Sequence, residues 1–327
     1  MRRRVAAGET SGVRCRIFAV ALSAALVAGC GGGSQEQPPQ PPRTPPDPGF
    51  TGTGTTGSAR PVDIGGRSLF VECHGSGSPT VLLEAGFGGS SKSWVTVMPA
   101  LRRVTRTCAY DRAGLGSSVA MPGVHDAGDE VADLDRLLAR AGIPPPYVLV
   151  GHSYGGLLVR MFARTHQRDT AGIVLVDSMG ADQTRRQLAL WPRSEAAAAR
   201  RTVAQRVIDG VDLREGENLA GGIRTLGGIP LVVITAGRED PAAAALPTPL
   251  RHALRQLWGR MQDELAALSP DHVHAVAVRS GHVVQSPDGQ PAVVVRAVRA
   301  VVRAVRDGTR LPPCPQLYAA LAVRCAR

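Results

Sequence analysis

Residues 147–156 read Tyr-Val-Leu-Val-Gly-His-Ser-Tyr-Gly-Gly, a short apolar run that stops at a glycine-flanked serine. Tyr147–Val150 is rich in strand-forming residues and follows three prolines, so it reads as a buried strand. From Gly155 to His166 the apolar residues Leu157, Leu158, Met161 and Phe162 recur at helical spacing. Ser153 therefore sits on a sharp turn from strand to helix, which strains its backbone and lifts its hydroxyl clear of the sheet edge. Gly151 and Gly155 flank it, because β-carbons there would collide where strand and helix nearly touch. An ordinary glycine-rich turn is the alternative; the strand–turn–helix context favours a nucleophile.

Outward from this segment, strand and helix patterns alternate from residue 61 onward. Asp63–Cys73 reads as a hairpin centred on Gly65-Gly66, and Thr80–Glu84 as a strand followed by a glycine-rich loop and a helix around Trp94–Arg103. Thr107–Tyr110 is a further strand, and Ala127–Ala141 a helix with Val131, Leu134, Leu137 and Leu138 on one face. Strands are expected at Gly172–Asp177, Pro230–Thr235 and His274–Val278, with a closing helix at Ala292–Arg306. Such alternation predicts an α/β fold, a mostly parallel sheet covered on both faces. Residues 179–229 interrupt it with a stretch rich in Ala, Arg and Leu, expected to form a helical cap over the sheet's carboxyl edge, where ligands bind in such folds.

The 327 residues suffice for one large domain plus tails. A net charge of +11 is carried almost wholly by arginine, Lys92 being the one lysine. The arginines are scattered and no nucleic-acid-binding signature is present, so a basic soluble surface is favoured over nucleic-acid binding. The closing helix carries Arg296, Arg299, Arg303 and Arg306 within one arc; a solvated face is favoured there over docking to anionic headgroups.

Arg2, Arg3, Arg4, Arg14 and Arg16 precede an apolar stretch from Ile17 to Gly29, too short to span a bilayer and suited to a secretory signal over residues 1–29. Leu26-Val27-Ala28-Gly29-Cys30 resembles a bacterial lipoprotein lipobox. That resemblance implies a diacylated Cys30 that tethers an exported protein to a membrane surface of the cell envelope; plain secretion is the alternative. Residues 30–60, rich in Gly, Pro, Gln, Ser and Thr, read as a disordered spacer. Export makes disulfides reasonable for Cys73, Cys108, Cys314 and Cys325; of three possible pairings, 73–108 and 314–325 are favoured. His272 and His274 lack further ligands nearby, so no metal site is expected.

Four stretches together resemble the α/β-hydrolases, over residues 61 to 307. Glu84-Ala-Gly-Phe-Gly-Gly89 is similar to the family's oxyanion loop, Asp111–Ser118 to its Asp-Arg-x-Gly-x-Gly-x-Ser loop, Gly151–Gly156 to its nucleophile elbow, and Ser280-Gly281-His282 to its histidine loop. Ala85 stands where the family usually has histidine; the donor needed there is a backbone N–H, which the change leaves intact. The resemblance implies an α/β-hydrolase fold with an eight-stranded, mostly parallel sheet, a core over 61–178 and 230–327, a cap over 179–229, and no cofactor.

It also implies a constellation for acyl transfer. Ser153 is the expected nucleophile. His282 is the expected base among eight histidines, because it follows the last strand in a glycine-flanked loop. Asp240, in Gly237-x-x-Asp240, matches the family's usual acid position, with Asp177 and Glu239 as alternatives. Backbone N–H groups of Phe87 and Tyr154 are the expected oxyanion donors, and His152 is read as structural. A serine at the elbow argues against the dehalogenase and epoxide-hydrolase branches, which place aspartate there. The expected activity is hydrolysis of small-molecule carboxylic esters; a peptidase or amidase, or a catalytically silent binding module, are the alternatives.

Overall fold

A computed structural model describes residues 58–192, 207–208 and 210–326. The expected signal over 1–29, Cys30, the spacer up to residue 57 and residues 193–206 of the expected cap lie outside the described residues.

The sheet is built from β1 (Ser58–Asp63), β2 (Ser68–His74), β3 (Thr80–Glu84), β4 (Thr107–Tyr110), β5 (Tyr147–His152), β6 (Thr170–Val176), β7 (Leu231–Ala236), β8 (His272–Ala277) and β9 (Val323–Cys325). Their order is β1-β2-β4-β3-β5-β6-β7-β8-β9. From β4 to β8 all neighbours are parallel. The joins β1–β2, β2–β4 and β8–β9 are antiparallel. Helices α1 (Ala127–Ala141), α2 (Tyr154–Thr165), α3 (Gln183–Leu188), α4 (Leu213–Gly221), α5 (Thr248–Ala266) and α6 (Pro291–Asp307) complete the layers.

The central strands are buried on both faces, which is why they read as continuous apolar runs rather than alternating ones. Leu82, Leu149, Leu175 and Val233 pack with Leu134, Leu137, Leu157 and Phe162 of α1 and α2 in one core. Val81, Val150, Val176 and Ile234 pack on the other face with Trp94 and with Val294, Val298 and Val301 of α6. Each such side chain contributes about 1.5–3 kcal/mol by leaving water.

Three expectations change. Among the described residues the sheet has nine strands, not eight, because the chain returns after α6 and pairs Ala275 with Cys325 along the β8 edge. A Cys314–Cys325 bridge fixes that return, and Cys73–Cys108 joins register partners on β2 and β4; both favoured pairings are found. Residues 58–60, expected in the spacer, belong to β1, where Ser58 faces Cys73 and Arg60 faces Val71. Helix α5 was not foreseen, although Leu250, Leu254, Leu257, Met261 and Leu265 recur at helical spacing within it.

The segment expected as a cap contains α3 and α4. Val211–Asp212 pairs with His125–Asp126 at the start of α1, and α4 lies against α1 and α2. The arginine arc on α6 is partly structural: Arg306 donates to the Ser78 and Val104 carbonyls at 2.8 and 3.0 Å, and Arg296 reaches the Leu317 and Ala319 carbonyls at 3.4 Å. Among the described residues no helix is long and apolar enough to cross a membrane.

Candidate active site

Ser153 lies between the end of β5 and the start of α2 with φ 53 and ψ −120, a conformation that costs a non-glycine residue about 1–3 kcal/mol. Neighbouring backbone holds it there. Its N–H donates to the Val176 carbonyl at 3.0 Å, and its own carbonyl accepts from Gly156 and Met179, both at 3.0 Å. A β-carbon on Gly151 would lie 2.5 Å from the Gly155 oxygen, and one on Gly155 2.4 Å from the Ala85 oxygen. Only glycine lets the elbow close. Below it, buried Arg160 donates to the Gly156 and Met179 carbonyls at 3.0 and 2.6 Å; burial pushes its guanidinium down to about 10.

His282 follows β8, and its Nδ1 lies 2.7 Å from Asp177 Oδ2. Asp177 Oδ1 accepts from the Ala236 N–H and from Trp258 Nε1–H, both at 2.9 Å. The carboxylate on the imidazole is therefore that of Asp177, not the first-choice Asp240. The reason is local. Asp177 follows β6 beside the elbow with φ 44, and that left-handed step turns its side chain along the strand ends toward His282. Asp240 instead begins a turn, its carbonyl accepting from Ala243 at 2.8 Å, and lines the cavity wall. Glu239 faces Arg251 at 3.5 Å.

The other imidazole nitrogen of His282, Nε2, is buried and has no hydrogen-bond partner among the described residues. His152 donates from Nε2 to the His282 carbonyl at 3.0 Å. Burial, then the proximity of His282, pushes His152 down to about 3, so it stays neutral and braces the histidine loop.

The loop after β3 is held by a buried charge cluster. Arg112 donates to Glu84 Oε1 at 2.6 Å and to the Ala85 and Gly86 carbonyls at 2.7 and 2.9 Å. Its Nε lies 3.3 Å from Glu130, which also accepts from the Tyr154 hydroxyl at 2.7 Å, while Tyr110 donates to Glu84. Burial raises Glu84 to about 7, against the opposing pull of Arg112. Burial works the same way on Glu130, yet Arg112, His125 and Tyr154 together hold it below the usual carboxylate range. Asp111 accepts from the Ser91 and Ser117 N–H groups at 2.7 and 2.8 Å. Asp111 and Arg112 thus both brace loops.

Gly86, Phe87, Ser153, Asp240 and His282 line one cavity of about 470 Å³. A second, of about 140 Å³, is walled by Asp177, Leu246, Leu254, Trp258 and His282, with Gln187 of α3 also on its wall. Tyr154 opens α2, so its N–H is one of the unpaired amides of a helix N-terminus, where negative charge is favoured. Sequence reasoning missed Trp258 and the carboxylates Glu84 and Glu130. Glutamates inside otherwise apolar or helical runs were the available signal for the latter two. His272 Nδ1 reaches the Ser269 carbonyl at 2.7 Å, and His274 sits between Asp263 and Thr235 at 2.9 and 2.7 Å. Among the described residues no cluster suits a metal ion.

A family model described as alpha/beta hydrolase fold matches residues 79–211. YqjL of Bacillus subtilis is 26% identical over 222 residues, spanning 64% of this chain and 78% of that protein. Higher identity comes with shorter reach: 40% over 125 residues spans 36% of this chain and only 18% of efuK from Hormonema carpetanum. Among solved structures, a bacterial membrane phospholipase A superposes with a TM-score of 0.54 at 18% identity, covering 77% of this chain and 88% of its own. A thermophilic esterase from Thermogutta terrifontis gives 0.50 at 21%, covering 76% and 99%. At such identities the likeness speaks for the fold alone.

Proposed function

We propose that this chain, which has the α/β-hydrolase fold, is a serine hydrolase that cleaves carboxylic esters through an acyl-enzyme. One observation carries the reading. The His282 ring is bound through Nδ1 to Asp177 and keeps a buried Nε2, without a partner among the described residues, in the same cavity as a strained Ser153.

In this reading Ser153 Oγ attacks the substrate carbonyl carbon while its proton passes to His282 Nε2. The N–H groups of Phe87 and Tyr154 receive the developing oxyanion, each worth about 10²–10³ in turnover. Arg112 serves that step at one remove, by fixing the two carbonyls that precede Phe87. His282 returns its proton to the departing alkoxide. Water then repeats the sequence on the acyl-enzyme and frees the carboxylic acid. Asp177 stays ionised, orients the ring and stabilises the imidazolium.

The test is fluorophosphonate labelling and turnover of short- and medium-chain p-nitrophenyl esters, beside Ser153→Ala. Labelling and turnover that vanish in the variant support the reading. Labelling without ester turnover points to amide substrates, and no labelling to a silent binding module. At the chain's other end, the lipobox-like run supports attachment of diacylated Cys30 to a membrane surface. Cys30→Ala then releases the protein from membranes, and retention in the membrane fraction rejects the anchor.

A further inference from the structure

We infer that Trp258 is a positioning residue for the reaction: its indole N–H helps fix the Asp177 carboxylate and so sets how strongly that carboxylate holds the His282 proton. The inference rests on the Ser153–His282–Asp177 reading above.

Helix α5 contributes side chains on successive turns to the loop that carries the acid, after β6, and to the loop beside it, after β7. Arg255 donates to the Gly237 carbonyl at 3.1 Å, Trp258 to Asp177 Oδ1 at 2.9 Å, and Gln262 to the Ser178 carbonyl at 2.7 Å. The spacing of 255, 258 and 262 places all three on one face. They grip the chain just after β7 and just after β6. Asp177 is nearly sealed from water, at 3% exposure, so its charge depends on the donors it meets. Those donors divide cleanly. Oδ1 takes the Ala236 N–H and the Trp258 N–H, and among the described residues Oδ2 meets His282 alone.

A donor on the first oxygen draws charge away from the second, making the carboxylate less basic toward the imidazolium. Trp258 thus tempers the pair as well as aiming it. Its ring also stands edge-on to His282, with centroids 6.4 Å apart, and walls the 140 Å³ cavity that backs the couple. An alkyl or amide side chain at this position lacks either the reach or the shape to do both.

Trp258→Phe keeps an aromatic ring, smaller than the indole, and deletes the N–H donor. Among the described residues, the other titratable groups facing the couple are the neutral His152 from the elbow, Arg238, Glu239 and Asp240 after β7, Arg251 and Arg255 on α5, and Asp288 in the histidine loop. None changes in this variant. Active sites are counted by exhaustive fluorophosphonate labelling, so kinetics are expressed per competent site and misfolded protein drops out. The expected result is kcat lower by about tenfold with KM within about twofold, since one of two donors on that oxygen is lost. The acidic limb of the kcat/KM profile moves upward by about half a pH unit or more, because a more basic Asp177 holds the imidazolium to higher pH. An unchanged kcat per site with an unmoved limb, or a raised KM alone, overturns the inference and leaves Trp258 as a wall. Wild-type protein that neither labels nor turns over any ester rejects the underlying hydrolase reading instead, before the variant is made.

Discussion

Replacing Asp177 with asparagine separates the acid seen in the structure from the one that the chain's spacing suggests. Asparagine is nearly isosteric, so the question becomes which way its carboxamide faces. Two N–H donors, from Ala236 and Trp258, converge on Oδ1 at 2.9 Å, and one ring nitrogen meets Oδ2 at 2.7 Å. Keeping the oxygen on the two donors turns the NH2 toward His282 Nδ1. The ring must then accept there and carry its proton on Nε2, where it no longer takes the proton of Ser153. The opposite orientation sets NH2 against two donors, leaving each unsatisfied at about 1–3 kcal/mol. Recovering the active tautomer therefore costs about 2–6 kcal/mol, and we expect kcat to fall by about 10³–10⁴ with KM little changed. Asp240→Asn, on the wall of the cavity, is expected to stay within about threefold in kcat. The assay is ester turnover per fluorophosphonate-labelled site, with melting temperature as the check on folding. Asp177→Asn within tenfold of wild type, or a thousandfold loss in Asp240→Asn, refutes the assignment.

Arg112→Met strands Glu84 and Glu130 without their shared guanidinium, and chemical denaturation should show a loss of about 3–5 kcal/mol. Glu84 is raised to about 7 in the folded chain by burial, so its contribution is fully present below its unfolded value near 4.5 and is lost as pH rises through about 7. Glu84→Gln should flatten that part of the stability–pH curve between pH 4.5 and 7, and an unaltered slope counts against the buried-carboxylate account. Gly155→Ala drives a β-carbon to 2.4 and 2.5 Å from two backbone oxygens; we expect about 3 kcal/mol or more of lost stability and no fluorophosphonate labelling, read from melting and gel fluorescence. Cys314→Ser with Cys325→Ser opens a loop with a sequence separation of 11 and should cost about 3 kcal/mol, with β9 amides exchanging first in hydrogen-exchange measurements.

Beyond favouring the two disulfide pairings that are found, the order of amino acids alone carries the elbow and the alternation of strands and helices. Each of these is local. A strand-forming run, a glycine that tolerates no β-carbon, or a helical period is encoded within a dozen residues. Which carboxylate meets His282 follows from packing instead. Asp240 and Asp177 both follow strands of one sheet, and chain spacing ranks them by habit; their actual reach depends on how β6 and β7 stagger and on a left-handed step at Asp177. Trp258, far along the chain on a helix, enters the site for the same reason. A hydrogen bond across 81 residues is made by packing, and packing leaves no periodic trace in the order of the amino acids.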